Sequence, residues 1–128
     1  HYGHYRDDPG LFEGFVEEIS GPATGRVSEM AKKYGMCVVF GSYEREGDRL
    51  YNAAVLVGRD GKIPGRYRKA HLPFAEARAV TGGDRFPVFE ADFGTVGMMV
   101  CYDVNFPEVA RCRALNGAEM LFFADHGA

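Results

Sequence analysis

Val96-Gly-Met-Met-Val-Cys101, Tyr102-Asp-Val-Asn105, Phe106-Pro-Glu-Val-Ala-Arg-Cys-Arg-Ala-Leu115 and Glu119-Met-Leu-Phe-Phe-Ala124 together decide the fold. The first run is almost wholly apolar, as a strand covered on both faces requires. Asn105 reads as an N-cap, with Glu108 three residues on in a capping-box relation. Pro107 falls in the first helical turn, where its missing N–H costs nothing. Gly117 ends the helix, and Glu119 to Ala124 is a second buried strand. Strand, helix and strand at this spacing make a βαβ unit with a parallel pair, so the class is α/β.

Working outward, Phe86 to Phe89 is a short strand and Ala91-Asp-Phe-Gly94 turns the chain. Residues 69–85 hold Pro73, Gly82 and Gly83 and read as a long loop with room for one helical turn. Ile63 to Arg68 is a strand after the turn Arg59-Asp-Gly-Lys62, where Asp-Gly tolerates positive φ. Leu50 to Val57 and Met36 to Tyr43 are strands joined by the polar turn Glu44-Arg-Glu-Gly-Asp48, a hairpin. Gly21-Pro22-Ala23-Thr24 opens a helix in which Val27, Met30, Ala31 and Tyr34 form one apolar stripe, closed by Gly35. Residues 1–20 have no clean period and read as loop with room for a short helix.

The chain has 128 residues, 46% hydrophobic and 26% charged, which fits one globular domain over residues 1–128. A net charge of -3 argues against nucleic-acid binding and against a polybasic membrane patch. No apolar run approaches the about 18 residues of a membrane span. The three cysteines, Cys37, Cys101 and Cys112, form no CxxC and are too few for a disulfide scaffold. Residues 1–10 do not resemble a signal peptide. A reducing cytoplasm is the expected compartment. The first residues read as mid-domain and the last stop just after an apolar run, so both ends are expected to be cut from something longer.

Cys101 ends a buried strand before a turn into a helix. That is the logic of a nucleophile elbow, with the positive helix end favouring a thiolate. The competing reading is a small core residue, since free Cys is commonly buried. Arg66-Tyr-Arg-Lys-Ala-His-Leu-Pro73 begins as a strand and ends in a loop. Its cations read either as a solvated edge that blocks aggregation or as one buried Lys offering an ammonium to an oxyanion. His71 could pair with a cysteine or serve as a structural hydrogen-bonder. Glu76 alone reads as a loop carboxylate, Asp7 and Asp8 as solvent-facing charge, and the His1/His4 pair as a weak metal site.

Taken together, these stretches resemble the carbon–nitrogen hydrolase (nitrilase) superfamily. The resemblance rests on Gly61-Lys-Ile-Pro-Gly-Arg-Tyr-Arg-Lys-Ala-His-Leu-Pro73, Gly82-Gly-Asp-Arg-Phe-Pro-Val-Phe89, Gly97-Met-Met-Val-Cys-Tyr-Asp103, Phe106-Pro-Glu108 and Gly117-Ala-Glu119. Gly21-Pro22 and Tyr51-Asn52-Ala53-Ala54 also fit, and Gly82-Gly83 stands where Pro-Gly is commoner. The resemblance implies an α-β-β-α sandwich of the nitrilase type, here partial. It implies a catalytic Cys101, a catalytic Lys69 and a second Glu at Glu76, with the backbone N–H of Tyr102 joining Lys69 at the oxyanion. It implies a thioester route for small amide, N-carbamoyl or nitrile substrates, with no metal or organic cofactor, and pairing of subunits into a homo-oligomer. The family's first catalytic Glu is expected upstream of residue 1. The 128-residue piece is therefore expected to be nearly inactive, its parent an amidohydrolase. Two other readings stay open: a non-catalytic binding or assembly module of this fold, and a Cys–His hydrolase using His71.

Overall fold

Over residues 16–125, which the computed structural model describes, the chain runs β1 (Val16–Glu17), α1 (Pro22–Tyr34), β2 (Val38–Glu46), β3 (Arg49–Val57), β4 (Gly65–Arg68), β5 (Val88–Ala91), β6 (Gly94–Val100), α2 (Pro107–Leu115) and β7 (Met120–Ala124). Two 3-10 turns, Glu76–Arg78 and Cys101–Asn105, lie between these elements.

The strands form two sheets. One has the order β1-β2-β3-β4, antiparallel except for the parallel β1–β2 pair. The other has the order β5-β6-β7, with β5–β6 antiparallel and β6–β7 parallel across α2, as a βαβ unit demands.

Strand periodicity explains the layers. Ala54 and Leu56 of β3 and Tyr67 of β4 meet Val96, Met98 and Val100 of β6 in one buried cluster between the sheets. The alternate residues Val55 and Val57 point the other way, onto Ala31 and Val27 of α1. The run from Ala53 to Val57 is continuously apolar because both of its faces are covered. On β6, Gly97 faces α2, where a Cβ would come within 2.6 Å of the Arg113 side chain. Gly65 plays the same part between the sheets, since a Cβ there would collide with the Phe89 ring. The order is therefore α1, first sheet, second sheet, α2: the expected α-β-β-α sandwich.

The structure changes four local readings. Val16–Glu17 pairs with β2 as a short strand where loop was expected. The hairpin turn is only Gly47-Asp48, with Gly47 at φ 57, because Glu46 still pairs with Arg49. The charged end of β2 stays in the ladder because Arg66 and Arg68 take up Glu44 and Glu46. In α1 the buried residues are Thr24 and Ala31, while Met30 and Tyr34 are exposed; the helix approaches the sheet through its small side chains. Finally, Asn105 belongs to the 3-10 turn and Phe106 is the N-cap of α2, without a side-chain cap. Pro107 stands in the first turn, as expected.

Candidate active site

Cys101 sits where β6 gives way to the 3-10 turn, with φ 45, and is the one described non-glycine residue at positive φ. Such a conformation costs about 1–3 kcal/mol and persists only where the surroundings fix it. The strand thus ends in a sharp elbow with a half-buried thiol at its corner. α2 starts only at Pro107, so the elbow leads into a 3-10 turn and not straight into the α-helix. The geometry that distinguishes Cys101 is the elbow rather than a position at the α-helix N-terminus.

The basic run divides by residue. Arg66 and Arg68 pair with Glu44 and Glu46, the solvated-edge reading. Lys69, the next residue, turns inward and is only 2% exposed. Its N–H donates to the Asn52 carbonyl at 2.8 Å, extending the β3–β4 ladder by one bond. Its ammonium meets Glu76 Oε2 at 2.6 Å. Glu76 opens the Glu76–Arg78 turn and is itself buried. Its other oxygen, Oε1, accepts from Asn52 Nδ2 at 2.7 Å. Both carboxylate oxygens are thereby engaged, which a buried ion pair needs to offset its desolvation.

These pieces meet in one cavity of about 530 Å³, lined by Cys101, Lys69, Glu76 and Asn52 together with Tyr43 and Phe123 among others. Residues 69, 76 and 101, chosen from the sequence, are brought together. Asn52 was noticed only as part of a matching run. An amide inside an otherwise apolar strand was the available signal, because Asn is depleted in strands unless its side chain has a task.

Tyr102 follows Cys101, and its ring is exposed and meets Phe106 edge-on at 5.5 Å. His71 is turned elsewhere too. Its Nδ1 lies 3.1 Å from Asp103 Oδ1 and its ring stacks on Phe106 at 3.9 Å. That is the structural hydrogen-bonder, not the partner of a cysteine. Asp103 is fully buried and also accepts from Tyr67 Oη at 2.8 Å. Burial, reinforced by the Asp103 charge, pushes the Tyr67 hydroxyl up to about 12, which keeps it a neutral donor. His1, His4, Asp7 and Asp8 lie outside the described residues. Among the described residues, no three His, Cys, Asp or Glu side chains gather as a metal site.

The carbon-nitrogen hydrolase family model matches residues 2–128. A probable nitrilase of Schizosaccharomyces pombe is 40% identical over 114 residues, covering 85% of this chain and 42% of that protein. The structure of a carbon-nitrogen hydrolase from Helicobacter pylori G27 superposes with a TM-score of 0.87 at 32% identity, covering 98% of this chain and 44% of that one. A mutant amidase from Nesterenkonia sp. AN1, solved with acrylamide added at its active site cysteine, gives a TM-score of 0.74 at 27% identity. That match covers 80% of this chain and 42% of the amidase. The chain thus spans less than half the length of these proteins.

Proposed function

The chain belongs to the carbon-nitrogen hydrolase family, and from that premise we propose that it carries the nucleophilic half of a hydrolase for non-peptide carbon–nitrogen bonds. One observation carries the reading: a cysteine held at a strained elbow opens into the same cavity as a buried Lys–Glu pair.

The chemistry follows from those groups. The Cys101 sulfur, deprotonated, attacks the carbonyl or nitrile carbon. Negative charge grows on the substrate oxygen or nitrogen, and the Lys69 ammonium with the Tyr102 N–H stabilises it. For an amide, the carbon–nitrogen bond breaks, the nitrogen leaves with a proton as ammonia or amine, and a thioester remains on Cys101. Water then attacks the thioester, releasing a carboxylic acid and restoring the thiol. Splitting one hard step into two is what a covalent nucleophile contributes. Glu76 balances the Lys69 charge, and Asn52 holds Glu76 in place. The base that takes the thiol proton is expected outside these 128 residues. A positioned base of that kind is worth about 10²–10⁴-fold in rate.

Small amides and N-carbamoyl compounds are the favoured substrates, with nitriles a third class. The whole protein is read as a cytoplasmic homo-oligomer. Among the described residues, no helix is long and apolar enough to cross a membrane. The test is release of ammonia or amine by the whole protein from one amide, one N-carbamoyl amine and one nitrile. Release from any of them, abolished by Cys101→Ala, supports the reading. Release from none, with the fold intact, favours the binding or assembly module.

A further inference from the structure

The two proposed catalytic residues lie 32 positions apart, Lys69 and Cys101, and one buried carboxylate touches the chain on both sides of each. Asp103 Oδ1 accepts from the His71 backbone N–H at 3.1 Å and lies 3.1 Å from His71 Nδ1. Asp103 Oδ2 accepts from Tyr67 Oη at 2.8 Å and from the Val100 N–H at 3.1 Å. Tyr67 and His71 flank Lys69. Val100 and Asp103 flank Cys101.

We infer that Asp103 is a positioning residue, the clamp that fixes the Lys69 segment against the Cys101 elbow. The inference rests on the hydrolase reading above. Asp103 is fully buried and is not among the residues lining the cavity, so it acts through its neighbours and not on substrate. Its surroundings suit a carboxylate and no other side chain of similar size. The two backbone N–H groups can only donate. Tyr67 Oη already accepts from the Ala70 N–H at 3.0 Å, so its own proton is directed at Asp103. An Asn at this position has one accepting oxygen, and its NH₂ would face donors on one side. The Arg113 guanidinium lies 4.2 Å from the centroid of the Tyr67 ring and is also fully buried. It places positive charge against the same Tyr67 side chain whose hydroxyl meets Asp103.

The consequence is geometric. Loosening the clamp lets the Lys segment and the elbow drift relative to each other, and a misplacement of about 1 Å can cost about 10²-fold in rate. A residue that only supported the fold would lower stability without singling out Cys101.

Three variants decide it: Asp103→Asn, Tyr67→Phe and Val57→Ala. Val57 packs under α1, away from the cavity, and supplies a control for lost stability. Two readouts are used, the rate of Cys101 alkylation by iodoacetamide at neutral pH, mapped by peptide mass, and kcat and KM of the whole protein. Asp103→Asn is expected to slow Cys101 alkylation about tenfold, because the Lys69 segment shifts relative to the elbow. It should lower kcat about 10²-fold with KM nearly unchanged. Tyr67→Phe should move both in the same direction by less, and it decides alone where Asp103→Asn does not fold. Val57→Ala should leave Cys101 alkylation unchanged. Wild-type alkylation rates in both site variants, or equal slowing in Val57→Ala, would overturn the clamp. Failure of the hydrolase reading is separable, since it shows in the unmodified protein as Cys101 reacting no faster than Cys37 and Cys112.

Discussion

Two pockets of this molecule hold the same three chemical types, a cysteine, a cation and a carboxylate. One has Cys101, Lys69 and Glu76. The other, about 330 Å³ where β2 begins and β3 ends, has Cys37, Arg59 and Asp92. Their cation–carboxylate distances are identical at 2.6 Å. The environments differ. Lys69 and Glu76 are 2% and 9% exposed at their side chains, Arg59 and Asp92 52% and 53%. Cys101 is at positive φ, and Cys37 is not. The Cys37 thiol points to the Asp92 carboxylate at 3.6 Å. Residue types alone therefore do not distinguish the two pockets; burial, a fixed elbow and an ammonium whose counter-ion is itself held in place do.

The comparison can be broken by substitution. The largest effect is expected from Lys69→Ala in the whole protein. Loss of one fixed charge at a developing oxyanion costs about 10²–10³-fold in kcat, read by steady-state assay. Stability should fall as well, by about 3–5 kcal/mol in urea denaturation, because Glu76 is left as a buried charge beside Asn52 alone. Arg59→Ala removes a half-exposed partner in the other pocket, and its effect should stay within about 1 kcal/mol. Equal losses from the two variants would erase the distinction drawn here.

A smaller effect concerns the buried Asp103 network beside the first pocket. Tyr67 is neutral up to about 12 in the folded protein, against 10.0 ordinarily. Its raised value means that the folded state holds this proton more tightly than the unfolded state. That stability is complete below pH 10 and is lost as pH rises to 12, about 2–3 kcal/mol in all. Urea midpoints of wild type should fall through that window by more than those of Tyr67→Phe. Parallel pH curves would remove Tyr67 from the buried network. A comparable effect is expected from Asn52→Leu, which takes one of two partners from Glu76. It should cost about 1–3 kcal/mol and spare the Lys69–Glu76 bond.

Most of the architecture was legible because burial on two faces leaves a plain mark. The apolar runs of β3 and β6 and the Pro107-to-Gly117 helix could be read directly. What escaped was set by tertiary partners. The extra ladder positions of β2 depend on Arg66 and Arg68, which no local pattern ties to Glu44 and Glu46. The buried face of α1 follows Ala31 because a close helix–sheet approach favours a small residue over Met30. In the site, residues 69, 76 and 101 were reached by motif and resemblance. Local sequence would have left Glu76 a surface carboxylate, since its burial depends on Lys69 and Asn52. Asp103 was visible only as the residue two after the cysteine, because its four donor contacts come from segments up to 36 residues away.

Competitive alkylation of the native protein tests the central claim most directly. With limiting iodoacetamide at neutral pH, the thiol at the elbow should be modified at least about tenfold faster than Cys37, and Lys69→Met should remove that advantage. Equal modification of both thiols in the unaltered protein, or an advantage that survives loss of the ammonium, would contradict the account.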